Sequence, residues 1–77
     1  MGPNSLLVAI DDRSYWVHAQ IQREEPLEYR VYTSDIRDIT NAATVVAAPP
    51  AAANVVPEVR KRLDTYFTRS RARVTYH

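Results

Sequence analysis

The chain has 77 residues, with 10 Lys and Arg, 9 Asp and Glu, two His, no Cys and one Gly. This length predicts one domain with a small core, and such domains often gain stability by associating with another chain. The absence of cysteine excludes disulfides, thiolate nucleophiles and cysteine-type zinc sites, and it fits a reducing compartment. A single glycine excludes the phosphate-binding loops of P-loop and dinucleotide-binding proteins.

Membrane insertion and secretion are not indicated by the sequence. No apolar run is long enough to cross a bilayer. The N-terminus lacks the charged region and apolar stretch that mark a secretory signal. We therefore expect a cytoplasmic protein with no membrane partner. Its single domain is expected to span residues 5–77, with residues 1–4 set aside as disordered or as a remnant of expression.

Residues 6–33 have the pattern of a three-stranded antiparallel meander. Residues 6–10 are apolar, and apolar residues alternate with polar or amphipathic ones over 15–22 and 27–32. This period of two is typical of strands with one buried face. The segments between these runs contain Asp, Ser, Glu and Pro, which favour turns.

A specific register agrees with all three strand patterns. Pairing Ile10 with Tyr15 leaves a four-residue loop, and pairing Ile21 with Leu27 leaves a five-residue loop. The apolar residues of the three strands then share one face, which we take as the core face. A slip of one residue would move a whole strand to the wrong face, so this agreement supports the predicted sheet.

A short helix is predicted after the meander. Thr33-Ser34-Asp35 is typical of a helix N-terminus, since its side chains can accept hydrogen bonds from the first turn. Ile36 and Ile39 follow at helical spacing, which predicts a helix over about 35–41. Residues 42–56 then form an uncharged connection rich in Ala, Pro and Val, which we expect to lie against the domain.

A longer helix and a final strand are predicted at the C-terminus. Pro57 suits the first turn of a helix, and an apolar stripe with the 3.6-residue period continues to Ser70. Val74 and Tyr76 then alternate with polar residues, which predicts a strand that pairs with a sheet edge. His77, the last residue, is expected to fray.

The sequence thus predicts an α+β fold. A three- or four-stranded antiparallel sheet is packed on one face by one short and one longer helix. The expected core residues are Leu6, Val8, Ile10, Val17, Ala19, Ile21, Tyr29, Val31, Ile36, Ile39, Val59, Leu63, Tyr66 and Phe67.

The second face of the sheet is unusually apolar for a surface in water. The predicted register sets Trp16 between Ala9 and Tyr32, sets His18 between Leu7 and Arg30, and sets Gln20 opposite Glu28. Contiguous apolar surface with a polar border is typical of an association site, and Trp, Tyr and Arg often dominate such sites. Two alternatives stay open: residues 42–57 fold over this face, or another molecule covers it.

The sequence gives no support for an enzyme. His18 is the only internal histidine, and the predicted register places no carboxylate beside it to orient its ring. No catalytic, metal-binding or cofactor-binding residue is predicted, and no small-molecule substrate is indicated. We expect a non-enzymatic interaction module that docks to a protein partner or forms a homodimer. The predicted contact residues are Leu7, Trp16, His18, Arg30 and Tyr32, with Gln20 and Arg30 as the polar border.

Nucleic-acid binding is the alternative function. Residues 1–54 carry a net charge of −3, and residues 55–77 carry +4. Arginines can neutralise phosphates and contact them with two hydrogen bonds. The predicted contacts in this case are Arg62, Arg69, Arg71 and Arg73.

Overall fold

The computed structural model describes residues 5–77, so the prediction for residues 1–4 lies outside the described residues. The elements in chain order are strand β1 (Ser5–Ile10), strand β2 (Arg13–Glu24), strand β3 (Leu27–Asp38), helix α1 (Val56–Ser70) and strand β4 (Arg73–Tyr76). The four strands form one sheet in the order β1-β2-β3-β4.

The α+β class and the meander are confirmed, but the sheet is mixed rather than fully antiparallel. β2 pairs antiparallel with β1 and with β3. β4 instead pairs in parallel with β3. The connection from β3 to β4 contains α1, and a helical crossover returns the chain so that the next strand runs in the same direction. The prediction of an antiparallel final strand was therefore wrong.

Both hairpins are tighter than predicted. β1 and β2 pair Ile10 with Arg13, so only Asp11 and Asp12 form the loop. Asp11 has a φ of 55°, a value that an Asp tolerates where a tight hairpin turn would otherwise favour glycine. The β2–β3 turn contains only Glu25 and a cis Pro26. The predicted pairing was wrong by two residues at the β1–β2 turn and by three at the β2–β3 turn, where the register shifts between Ile21 and Arg23. Between that shift and the one at His18 the error is two residues, which leaves the side chains on their predicted faces.

The predicted helix over 35–41 does not form. β2 is 12 residues long, and β3 continues as a strand to pair with its full length, so that Ile36 lies opposite Val17. The register shifts between Val17 and His18, and residues 33–35 form a bulge in β3. Ile36 is buried, but it lies in an extended strand. Its spacing of three residues from Ile39 resembles helical periodicity, which is why a helix was predicted here.

The core lies between one face of the sheet and α1. Val59, Leu63 and Phe67 of α1 are buried against the apolar residues of β1, β2 and β3. The buried members of this cluster are Val8, Tyr15, Val17, Ala19, Val31, Ile36, Val59, Leu63 and Phe67. Tyr66 is 52% exposed, so its predicted place in the core was wrong. Within residues 5–77, no helix has the length and apolar character needed to cross a membrane.

The connection rich in Ala, Pro and Val lies against the domain, as expected. It follows the edge of β3, where the backbone N–H of Asp38 donates to Pro49 and that of Ala51 donates to Ile36. Ala48 is buried, and Ala51 packs against the core. These hydrogen bonds hold the connection beside β3. The alternative in which residues 42–57 fold over the second face of the sheet is therefore met only at the edge of the sheet.

The hydroxyl of Tyr76 fastens β4 to α1. It donates a hydrogen bond to the carboxylate of Asp64, and the guanidinium of Arg60 lies 4.2 Å from the centre of its ring. Burial, together with the hydrogen bond to Asp64, raises the pKa of Tyr76. β4 therefore contacts α1 through the side chain of Tyr76, while the backbone of β4 pairs with β3.

A carboxylate at the end of β3 links β3 to β2. The hydroxyl and backbone N–H of Thr40 donate to Oδ1 of Asp38, at 2.6 and 3.1 Å, and Arg13 donates to Oδ2 at 2.7 Å. The Thr40 hydrogen bonds, with a smaller effect from Arg13, lower the pKa of Asp38. The ionised carboxylate therefore stabilises the folded state above about pH 4, and this contribution is lost as the pH falls through the folded pKa.

We predict that Asp38→Asn lowers the free energy of unfolding at pH 7 and that its difference from the natural chain shrinks toward pH 2. Denaturant unfolding at a series of pH values measures this difference. Asp12→Asn is the control, because Asp12 is exposed in the hairpin turn. A difference for Asp38→Asn that stays constant down to pH 2 would contradict the role of its ionised form.

Candidate functional site

The face of the sheet opposite α1, called the open face here, carries the predicted contact residues. In β2 the buried Tyr15, Val17 and Ala19 alternate with Trp16 and His18, which are partly exposed. By strand register the side chains of the open face are Ser5, Leu7, Ala9, Trp16, His18, Gln20, Glu28, Arg30, Tyr32, Arg37, Arg73 and Thr75. Trp16 thus points away from the core, as the sequence predicted.

Four aromatic rings form a row across the open face, called the ring row here. The centres of Trp16 and His18 are 6.0 Å apart and those of His18 and Tyr32 are 4.5 Å apart, and both pairs are stacked. The His77 ring continues the row at 5.9 Å from Tyr32. Because both pairs are stacked, part of the face of each of these three rings is turned toward a neighbouring ring.

Leu7 extends the apolar surface beyond the ring row. It lies directly opposite Trp16 on the neighbouring strand, and 72% of it is exposed. The sequence had placed Leu7 opposite His18 and Ala9 opposite Trp16, and both pairings were wrong. The tighter β1–β2 turn moves β1 by two residues, so Leu7 meets the indole ring. The resulting group of Leu7, Trp16, His18 and Tyr32 is more contiguous than predicted.

The bulge of β3 places a carboxylate beside His18. Oδ2 of Asp35 lies 3.3 Å from Nδ1 of His18, and Oδ1 of the same carboxylate lies 3.4 Å from Nε of Arg37. The sequence-based expectation that no carboxylate orients His18 was therefore wrong. Asp35 reaches this position only because three residues are inserted between the pairs formed by Tyr32 and Ile36. No sequence signal indicated such an insertion.

Arg37 connects the open face to the Ala/Pro/Val connection. It lies opposite Trp16, where Tyr32 had been predicted, and Nη1 of its guanidinium donates to the carbonyls of Val45 and Val46 at 3.2 Å each. The same side chain contacts Asp35. Arg37 therefore orders both the bulge and the segment that borders Trp16, a role that the sequence analysis missed.

A polar border lies at the other end of the ring row. Oε1 of Gln20 accepts a hydrogen bond from the Tyr32 hydroxyl at 3.1 Å. Arg30 lies opposite Gln20, not opposite His18 as predicted, and Glu28 lies opposite Arg23 rather than Gln20. Gln20 and Arg30 are thus adjacent at the border, as the docking hypothesis requires.

His77 is held by the sheet rather than frayed. Its backbone N–H donates to Val31 and its carbonyl accepts from the backbone N–H of Thr33, both at 2.8 Å. The hydroxyl of Thr33 donates to the same carbonyl at 2.7 Å. These bonds continue the β3–β4 pairing by one residue and set the imidazole beside Tyr32. The expectation that His77 frays was wrong.

The four arginines proposed for nucleic-acid contact are brought together only in part. Arg62 and Arg69 line one cavity on the same side of α1. Arg62 lies on α1 and pairs with Glu58 at 3.3 Å, while Arg69 lies in the last turn of that helix. Arg71 is the helix C-cap, with a φ of 56°. Arg73 lies on the open face of β4, on the opposite side of the sheet from α1. The charges of Arg62 and Arg69 therefore share one surface, but that of Arg73 does not.

Comparison of the chain with protein-family models, with curated proteins and with solved structures found no match. The candidate site is therefore supported by its geometry alone.

Proposed function

We propose that this protein is a non-enzymatic interaction module that docks through its open face to another protein. The supporting observation is the ring row with Leu7, which is apolar, contiguous and partly exposed on a sheet face that α1 does not cover. A face that only contacted water would be polar throughout. Aromatic residues surrounded by polar ones are typical of the energetic centre of an interface.

The border of the open face indicates the chemistry of the partner. Arg30 and Arg73 have no carboxylate within 4.0 Å among residues 5–77. Asp35, in contrast, is already occupied by His18 and Arg37. The unpaired positive charges therefore favour a partner surface that is apolar at its centre and has carboxylates at its border. The partner would insert apolar side chains beside Trp16 and Leu7.

Nucleic-acid binding receives less support from the geometry. Stacking of bases needs a free aromatic face, whereas Trp16, His18 and Tyr32 are already stacked on one another. Arg62 and Arg69 share one side of α1, but Arg73 lies on the opposite side of the sheet. This alternative is retained as an outcome of the experiment below.

Trp16→Ala is expected to weaken binding of the partner by at least about 30-fold, which corresponds to the roughly 2 kcal/mol that defines a dominant interface residue. The fold should survive, because Trp16 lies outside the core cluster. Native mass spectrometry of the tagged chain, purified from cells in which it occurs, measures the bound species, and circular dichroism checks the fold. Lys61→Ala is the control, because Lys61 is exposed on α1, on the other side of the sheet.

The outcomes separate the candidate functions. Loss of a protein partner in Trp16→Ala, with retention in Lys61→Ala, supports the proposal. Equal retention in both variants contradicts it. Bound mass that is removed by nuclease, and lost when Arg69, Arg71 and Arg73 are replaced together, would establish the nucleic-acid alternative instead.

A further inference from the structure

β1 is an edge strand without the usual protection against pairing. It is the first strand in the sheet order, and no other strand among residues 5–77 lies on its outer side. Its sequence, Ser5–Ile10, contains no charged residue and no proline, and its register with β2 has no bulge. Charged residues, prolines and bulges commonly protect edge strands from pairing, and an edge strand without them is a template for another strand.

The hairpin geometry shows which backbone groups of β1 face outward. In a two-residue hairpin the flanking residues, here Ile10 and Arg13, exchange hydrogen bonds. Hydrogen-bonded and non-hydrogen-bonded pairs then alternate along the strands. The N–H and C=O groups of Val8 and Ile10 therefore point toward β2, while those of Ser5, Leu7 and Ala9 point to the free edge.

We propose that the free edge of β1 pairs with β1 of a second copy of this chain, forming a homodimer with a continuous eight-stranded sheet. An antiparallel pair of identical strands is related by a two-fold axis, so the edge is complementary to itself. Residues directly opposite each other must share a face, which requires the register to centre on one residue rather than between two. Centring on Leu7 pairs all three outward-facing residues, with Ser5 opposite Ala9 of the second copy.

The groove beside β1 also fits a second copy. A cavity of about 350 Å³ lies between residues 6–9 and α1, and on the helix it is lined by Leu63, Tyr66 and the charged Arg62. The half-exposed Tyr66, which the sequence had assigned to the core, would gain cover here. The two helices would lie on the same side of the extended sheet and run antiparallel to each other across the pair of β1 strands.

Charges along α1 are arranged for this antiparallel placement. Glu58 lies near the hairpin end of β1, beside Ile10, and Arg69 lies in the last helical turn. The two-fold axis would bring the Glu58 end of each helix toward the Arg69 end of the other. Arg69 has no carboxylate within 4.0 Å among residues 5–77. Glu58 contacts Arg62 of its own chain at 3.3 Å, and it can also approach the unpaired Arg69 of the other copy in this arrangement.

Single cysteines test the register directly, because the natural chain has no Cys. Leu7→Cys should form a disulfide-linked dimer under mild oxidation, since opposed residues of an antiparallel pair lie about 5.5 Å apart, within disulfide reach. Ala9→Cys is the matched control on the same strand and face. Its two copies would lie about 14 Å apart and should not cross-link. Preferential cross-linking of Ala9→Cys would overturn the register, and no cross-linking of either would overturn the interface.

Solution mass tests the dimer without a cross-link. Analytical ultracentrifugation of the natural chain should give twice the 8.8 kDa chain mass, with dissociation on dilution. Ala9→Pro should be monomeric and folded, because its outward N–H makes no bond within the sheet of one chain and proline is tolerated at such edge positions. A monomeric natural chain at all concentrations would refute the homodimer.

The edge proposal and the open-face proposal fail independently. Trp16→Ala should leave the homodimer mass unchanged, since the indole lies one strand away from the free edge. A dimer that is lost in Trp16→Ala but kept in Ala9→Pro would place the second copy on the open face and overturn the edge proposal.

Discussion

Phe67→Ala is expected to lower the free energy of unfolding by about 3–5 kcal/mol. Phe67 is 1% exposed and is the largest fully buried side chain of the core. Its ring centre lies 4.9 Å from that of Tyr29, so it fills the space between α1 and β3. For a domain of 77 residues the total stability is roughly 4–12 kcal/mol. The substitution should therefore remove a large fraction of the total stability, which thermal and denaturant unfolding measure.

Tyr66→Ala is the matched control for Phe67→Ala. It removes an aromatic ring from the adjacent position of the same helix, so the change in helix propensity is similar. Because Tyr66 is 52% exposed in the single chain, its loss is expected to cost about 1 kcal/mol when both variants are compared at a concentration where the chain is monomeric. Equal destabilisation by the two substitutions would contradict the assignment of Phe67, and not Tyr66, to the core.

The period of two was enough to predict the two faces of the sheet. The alternation around Val17 and Ala19 assigned the core side, and it assigned Trp16 and His18 to the other side. The predicted pairings were wrong by two residues over most of both hairpins, an error that preserved the faces, and by more beyond the two register shifts between β2 and β3. Register in a hairpin depends on the turn, and the turns at Asp11 and Pro26 were shorter than the residue types alone indicated.

The same side-chain chemistry that favours a helix N-terminus also serves a bulge. Ser, Thr and Asp bond readily to nearby backbone and side-chain groups in either setting. Here the hydroxyl of Thr33 bonds to His77, and the carboxylate of Asp35 contacts His18 and Arg37. These partners are distant in sequence, so local pattern could not distinguish the two structures. The Asp35 contacts of the candidate site were missed for this reason.

The helix was predicted well in extent but less well in burial. Predicted bounds of 57–70 compare with an observed helix over Val56–Ser70. A single helix on a sheet buries only a narrow stripe, here Val59, Leu63 and Phe67 at spacings of four. The wider apolar stripe read from the sequence included Tyr66, which lies toward the free edge of β1. Tyr66 is exposed because the sheet ends at β1, and the periodicity of the sequence does not indicate where a sheet ends.

The edge of β3 is shared by two segments, and the bulge at residues 33–35 separates them. On one side of the bulge β4 pairs with β3, and His77 accepts from the N–H of Thr33. On the other side the Ala/Pro/Val connection pairs with β3, and the N–H of Ala51 donates to Ile36. The three inserted residues provide the length of edge that keeps the two segments apart.

Deleting residues 33–35 is therefore expected to destabilise the protein by at least about 2 kcal/mol. The deletion would join Tyr32 to Ile36 and give β3 an unbroken register with β2. His77 and Ala51 would then compete for the same stretch of edge. Displacing either segment leaves two or more backbone groups without partners, at about 1–3 kcal/mol for each one that stays buried. Denaturant unfolding measures the loss of stability.

Replacing the same three residues with alanines keeps the length of the bulge and is the control. It removes the hydroxyl of Thr33 and the ion pairs of Asp35, contacts that are exposed or partly buried. Such contacts contribute at most about 1 kcal/mol each. The triple-alanine variant should thus lose less stability than the deletion. If the two variants were equally stable, the side chains of the bulge, and not its length, would account for its effect on stability.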